Sequence, residues 1–154
     1  MTLVRCVEVA LTIPDNEAGT ALATLQRLGV PVVALERADV YRCEVQELEA
    51  DRLGATFRSV ETLFNPNKHT LHVRPGERPE AGEIWIGERA VGDSRETAAG
   101  VRIAGRVLPG VLALERFTSW RLTASAGAPA DASLVRAAQE TLLCNPAFQK
   151  ATTA

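Results

Sequence analysis

Two blocks of this sequence occur twice, in the same order and at nearly the same spacing, and that repetition restricts the folds open to the chain. Val32-Val33-Ala34-Leu35-Glu36-Arg37 returns 79 positions later as Val111-Leu112-Ala113-Leu114-Glu115-Arg116, and Tyr41-Arg42 falls on Trp120-Arg121 at the same offset. Glu61-Thr62-Leu63-Phe64-Asn65-Pro66 returns as Glu140-Thr141-Leu142-Leu143 and, after one added residue, Asn145-Pro146. Two blocks in register point to duplication of one unit. A chain of 154 residues divides into halves that would each be marginal alone, because burial falls quickly below about 80 residues. The halves are therefore expected to share cover for their apolar faces.

The local patterning describes that unit. Leu3 to Ile13 is mostly apolar with Arg5 and Glu8 between, and Pro14-Asp15-Asn16 closes it, which predicts a strand running into a helix start. Ala18, Ala21, Leu22, Leu25 and Leu28 form a helical stripe that Gly29 ends. Pro31 to Leu35 and Val40 to Val45 read as two strands of a hairpin bent at Glu36 to Asp39. Leu53, Phe57, Val60, Leu63 and Phe64 predict a second helix over 48–64, stopped at Asn65-Pro66, and His69 to Val73 predicts a last strand. The order is βαββαβ, the split βαβ unit of ferredoxin-like modules.

Laid out the same way, the second half predicts a strand from Ile84 to Val91, a helix from Arg95 to Leu108 and a hairpin from Val111 to Ala124. A helix from Ala132 to Leu143 and an extended or frayed tail complete it. Gly100, Gly105 and Pro109 make the first of those helices a poor one. Residues 75–83, rich in Pro, Gly and charge, read as a linker, so the units are 1–74 and 84–154. The expected fold class is α+β: two tandem ferredoxin-like βαββαβ repeats, antiparallel sheets with helices on one face, forming a pseudo-dimer.

Composition excludes several classes of function. A net charge of −2 with interspersed signs supplies no basic stripe for nucleic acid and no polybasic segment for an anionic membrane. Cys6, Cys43 and Cys144 are odd in number and lack metal-ligand spacing, which suits buried, reduced thiols in a cytoplasmic protein. The start shows no signal-peptide pattern, and no apolar run approaches the roughly 18 residues of a membrane helix.

Chemistry is sparse. His69 and His72 are the only histidines, and residues three apart on a strand face opposite ways, so no shared metal is expected. The phosphate-loop, dinucleotide and nucleophile-elbow motifs are absent, so no cofactor is expected. Cys144 has no histidine near it in sequence to serve as a base. Three other groups are candidates for contact. Glu36-Arg37 and Glu115-Arg116 recur at the predicted bends, as solvated charges or as ion pairs to a partner or between repeats. Asn65-Pro66 and Asn145-Pro146 stop helices and are candidates for a subunit contact. Trp85 and Trp120 are the largest anchors, and Trp120, at the place of Tyr41, is a candidate for core packing, a repeat interface or a protein-partner hot spot.

A βαββαβ unit of about 75 residues whose second helix ends Leu142-Leu143-Cys144-Asn145-Pro146, echoed by Leu63-Phe64-Asn65-Pro66, resembles the PurS family. PurS is the small accessory subunit of phosphoribosylformylglycinamidine synthase. The resemblance covers nearly the whole chain, twice. It departs at the hairpin, where the family pattern has Arg and Gly-Lys and this chain has Glu36 and Ala38-Asp39. The resemblance implies a non-catalytic subunit of a glutamine-dependent, ATP-consuming ligase of purine biosynthesis, which joins glutaminase and synthetase subunits for ammonia transfer. It also implies sheet-mediated dimers, which a tandem chain would make intramolecular, and leaves further homo-oligomers open. The rival expectations are a small-molecule-binding regulatory module and a small enzyme of the dimeric ferredoxin-like type.

Overall fold

The computed structural model describes residues 1–88, 95–97, 100–103 and 105–154. The first half of the chain contributes β1 (Thr2–Leu11), α1 (Asn16–Arg27), β2 (Ala34–Gln46), a 3-10 turn (Glu47–Arg52), α2 (Leu53–Arg58) and β3 (His69–Arg74). The second contributes β4 (Glu83–Glu88), β5 (Arg95–Thr97), β6 (Gly100–Ile103), β7 (Arg106–Pro109) and β8 (Val111–Thr123). A 3-10 turn (Ser125–Gly127), α3 (Ala132–Ala138), a π-helical turn (Gln139–Leu143) and β9 (Gln149–Thr153) complete it. The class is α+β. Six strands form one antiparallel sheet in the order β3-β1-β2-β8-β4-β9, and β5-β6-β7 form a second, three-stranded sheet.

Both predicted hairpins are corrected: Ala34–Gln46 and Val111–Thr123 are each one unbroken strand. The charged residues Glu36 to Asp39 suggested a bend, but none of them is a Gly, Asn or Pro that would favour one. In the strand their charges find partners instead. Arg37 pairs with Asp15 and Asp39 with Arg116. Val33 N–H donates to Thr123 O at 2.9 Å and Gln46 N–H to Gly110 O at 2.8 Å. Equal chain lengths separate these two bonds on each strand, and β2 and β8 are neighbours in the sheet order.

The predicted helix over Arg95 to Leu108 is also corrected. The described residues there are strands, with Arg102 paired to Val107 and Ile103 to Arg106 across a link holding Gly105 at φ 79°. Val101 and Leu108, cross-strand partners, are both buried, and Val101, Ile103 and Val107 are β-branched residues that favour strands. Residues 98, 99 and 104 of that stretch lie outside the described residues, as do 89–91 of the predicted Ile84 to Val91 strand. The second helix of the first half is shorter than expected: α2 is six residues long, preceded by the 3-10 turn and followed by hydrogen-bonded turns into Phe64.

The elements gather into two compact units, and each draws on both halves of the sequence. The first holds the described residues within 1–13, 39–77 and 91–116. Its core packs Val7 and Val9 of β1, Tyr41 and Cys43 of β2, and Phe57 of α2 with Val101, Leu108 and Val111. The second holds those within 14–38, 78–90 and 117–154. Its core packs Leu25 of α1 and Leu35 of β2 with Ile84, Ile86, Leu122, Val135 and Leu143.

α1 starts at a good cap, since Asp15 accepts from the Glu17 and Ala18 N–H groups, and it ends where Gly29 takes φ 87°. In the second unit the fully buried Glu83 carboxylate accepts from Ser119 Oγ at 2.5 Å and from Glu80 N–H at 2.9 Å, with Arg121 Nη2 3.9 Å away. Such a carboxylate is tolerable inside only because donors surround it. Just before it, Gly82 holds φ 78°, and a Cβ there would sit 2.9 Å from Leu122 O and 3.0 Å from Ala130 N. Gly82→Ala is therefore expected to destabilise by at least about 2 kcal/mol, read as a lowered urea midpoint; an unchanged midpoint contradicts the account of this turn.

Candidate functional site

The two Glu-Arg pairs lie in mid-strand. Arg37 Nε and Nη2 donate to Asp15 at 2.9 and 3.2 Å, and the same guanidinium pairs with Glu17, so the side chain clasps the first turn of α1. Glu36 is exposed beside it. Arg116 Nη2 lies 3.4 Å from Asp39 and its guanidinium 5.9 Å from the Tyr41 ring centroid, while Glu115 lies 3.7 Å from Arg42 Nη1. Three of the four charges are thus engaged within the chain. Burial pushes the Tyr41 phenol up from its ordinary range, Asp39 adds to that, and Arg116 opposes it.

The two Asn-Pro sites are built on the same pattern of hydrogen bonds. Asn65 Oδ1 accepts from Asn67 N–H, Asn65 O accepts from the N–H groups of Lys68 and His69, and Asn65 N–H donates to His69 Nδ1 at 3.0 Å. Asn145 Oδ1 accepts from Ala147 N–H, Asn145 O accepts from the N–H groups of Phe148 and Gln149, and Asn145 N–H donates to Gln149 Oε1 at 2.8 Å. Each is an Asx turn whose first N–H is closed by the side chain four residues on. Pro66 and Pro146 are both exposed. Each turn delivers an outer strand: β3 pairs with β1 from Leu11↔His69 to Cys6↔Arg74, and β9 with β4 from Glu88↔Gln149 to Ile84↔Thr153.

The approach to these turns differs by one residue. In the first half Phe64 N–H bonds Val60 O; in the second Cys144 N–H bonds Gln139 O, which makes the π turn. The added residue seen in the sequence is absorbed there. Its effect shows in the leucines. Leu63 is 6% exposed, whereas Leu142, its partner in the sequence match, is 41% exposed.

Leu142 and Leu143 border an open groove of about 440 Å³ in the second unit, with half-buried Trp120 among its walls. The facing wall is α1, which presents Thr20, Ala21 and Thr24. This groove brings a sequence-selected residue, Trp120, to the surface. Trp85 is instead fully buried with its ring 5.3 Å from Phe117. The groove was not legible in the sequence because its wall is α1, whose nearest lining residue, Thr24, lies 96 positions before Trp120.

Titratable groups do not converge on this groove. Among the described residues no three His, Cys, Asp or Glu side chains assemble into a metal-binding cluster, and no helix is long and apolar enough to cross a membrane. No protein-family model and no curated protein matches this chain at a significant level.

Two measurements follow from these sites. His69→Gln places the Gln149 arrangement in the first turn and is expected to stay within about 0.5 kcal/mol of the parent, whereas His69→Leu removes the acceptor of Asn65 N–H and costs about 1 kcal/mol. Urea unfolding of both variants decides it, and equal losses would refute the acceptor role. Burial, with a smaller contribution from Cys6, pushes the Cys43 thiol far above its usual range, and Cys6 is buried too. Iodoacetamide at pH 8 should therefore label the half-buried Cys144 in the native protein and Cys6 and Cys43 only in denaturant; native labelling of Cys43 at the Cys144 rate would contradict this burial.

Proposed function

We propose that this chain is a tandem PurS-like protein: a cytoplasmic, non-catalytic assembly subunit of phosphoribosylformylglycinamidine synthase that bridges the glutaminase and synthetase subunits for ammonia transfer. The observation that carries the reading is the pair of matched Asn-Pro turns, each closing a helix-turn-strand segment on an outer strand of the sheet. A sequence match extended by the same hydrogen bonds at both sites supports duplication of one ferredoxin-like unit. Duplication in turn supports a covalent pseudo-dimer, in which contacts that a dimer makes between copies are made within one chain.

A scaffold role also fits the distribution of chemistry. The buried carboxylate Glu83 is occupied by Ser119 and Glu80, Arg37 is held by α1, and the buried thiols are poor nucleophiles. The exposed positions left for partner contact are Glu36, Pro66 and Pro146, with the outer parts of Arg116 and Trp120. Because the halves display different side chains there, Asn67-Lys68 against Ala147-Phe148, the two ends suit two different partners.

The test is reconstitution. Purified chain is mixed with the synthetase and glutaminase subunits from the same cell, with and without ATP and glutamine, and both co-purification and amidine formation are measured. The chain is expected to co-purify with both, and glutamine-dependent amidine formation to require it. If it binds neither enzyme and the reaction is complete without it, the assignment is wrong.

A further inference from the structure

The two Asn-Pro turns close their first N–H on chemically different acceptors. Asn145 N–H donates to the side-chain amide oxygen of Gln149 at 2.8 Å, and an amide oxygen accepts in mild acid and mild base alike. Asn65 N–H donates instead to His69 Nδ1 at 3.0 Å. A backbone N–H can only donate, so this bond requires a bare Nδ1 and a neutral imidazole with its proton on Nε2. A second proton turns the acceptor into a donor that confronts Asn65 N–H. Imidazoles take up that proton between about pH 8 and pH 5, and His69 is only half-buried, so solvent reaches it.

We infer that the Asn65–His69 turn is a proton-operated catch, closed at neutral pH and released in mild acid, whereas the Asn145–Gln149 turn stays closed throughout. On the helix side of the ring Phe64 stacks at 6.2 Å and 29°, with the Arg58 guanidinium 6.0 Å from the Phe64 centroid. On the sheet side His69 faces Leu11, and Lys68 is its neighbour in the chain. The charged side chains among these neighbours, Arg58 and Lys68, are both cations and carry no acceptor to replace the lost bond. The bond therefore stabilises the turn while the ring is neutral, and that contribution is lost as pH falls and the proton binds. The catch sits where β3 begins: pairing with β1 opens at Leu11↔His69, and Lys68 O takes the Thr12 N–H just before it. Release loosens the exposed Pro66-Asn67-Lys68 tip and this first pair. The pairs from Val9↔Leu71 to Cys6↔Arg74 hold, because Leu71 and Val73 pack against the core. Of the two proline tips only the first thus answers to pH, and it does so with or without enzyme partners, so the inference stands apart from the assembly reading.

The full ¹⁵N-labelled chain is followed by amide spectra and hydrogen–deuterium exchange from roughly pH 7.5 to pH 5.5. The Asn65 amide resonance should move along the same curve as the His69 ring protons, while the Asn145 resonance stays in place. Exchange protection, corrected for the intrinsic effect of pH, should fall about tenfold at the Asn65, Lys68 and His69 amides and stay within about twofold at Asn145, Phe148 and Gln149. His69→Gln supplies an acceptor that does not titrate and should abolish the loss, whereas His72→Gln, at the other histidine, should leave it intact. The comparison of the two turns is made within the unaltered chain, so it decides the matter even where a variant fails to fold. Equal loss at both turns, no loss at the first, a loss that survives His69→Gln, or one that His72→Gln removes overturns the proposal.

Discussion

A strand inside a sheet must satisfy its backbone N–H and C=O groups on both edges, and β2 and β8, thirteen residues each, are both interior strands of the six-stranded order. They are neighbours in the centre of the six-stranded order, with β1 on the far side of one and β4 on the far side of the other. The rest of the fold follows from that continuity. Side chains on each long strand alternate along its whole length, so Tyr41, Cys43 and Val45 face one way from β2 and Phe117 and Ser119 one way from β8. It also explains how α1 and α2, from the same half of the sequence, come to serve different cores.

Much of this was legible from periodicity. The stripe Ala18, Ala21, Leu22, Leu25 and the stop at Gly29 correspond to α1, and the alternation from Leu3 to Leu11 corresponds to β1. What misled was polarity read as geometry. Glu36-Arg37-Ala38-Asp39 has the look of a turn in a sequence, but a charged residue in a strand needs only a counter-charge nearby, and Asp15 and Arg116 provide those from afar. Between Arg95 and Leu108 the opposite happened. Repeat matching imposed a helix by analogy with α1, although Val101, Ile103 and Val107 favour strands and Gly105 supplies the turn.

The candidate site was less legible than the fold. Trp120 could be singled out by its size and its match to Tyr41, but that it lines a groove with α1, Leu142 and Leu143 depends on elements far from it in sequence. The sequence offset also marks a polar exchange in the interior. Where the first half buries Val40, the second buries Ser119, and the hydroxyl is turned to the Glu83 carboxylate. A carboxylate and a hydroxyl stand together or not at all in such a place.

The π turn has a consequence for how this chain tolerates changes in length. One extra residue in an ordinary α-helix rotates everything after it by about 100°, which would point Asn145 and the strand behind it in the wrong direction. Widening a single turn confines that phase error to Gln139–Leu143, and Asn145 opens its turn with the same pattern of hydrogen bonds as Asn65. Helix length and strand register are thereby uncoupled, so the sheet does not sense the insertion. Its outward trace is Leu142, exposed at the rim of the groove, where a silent change in length has become a change in surface.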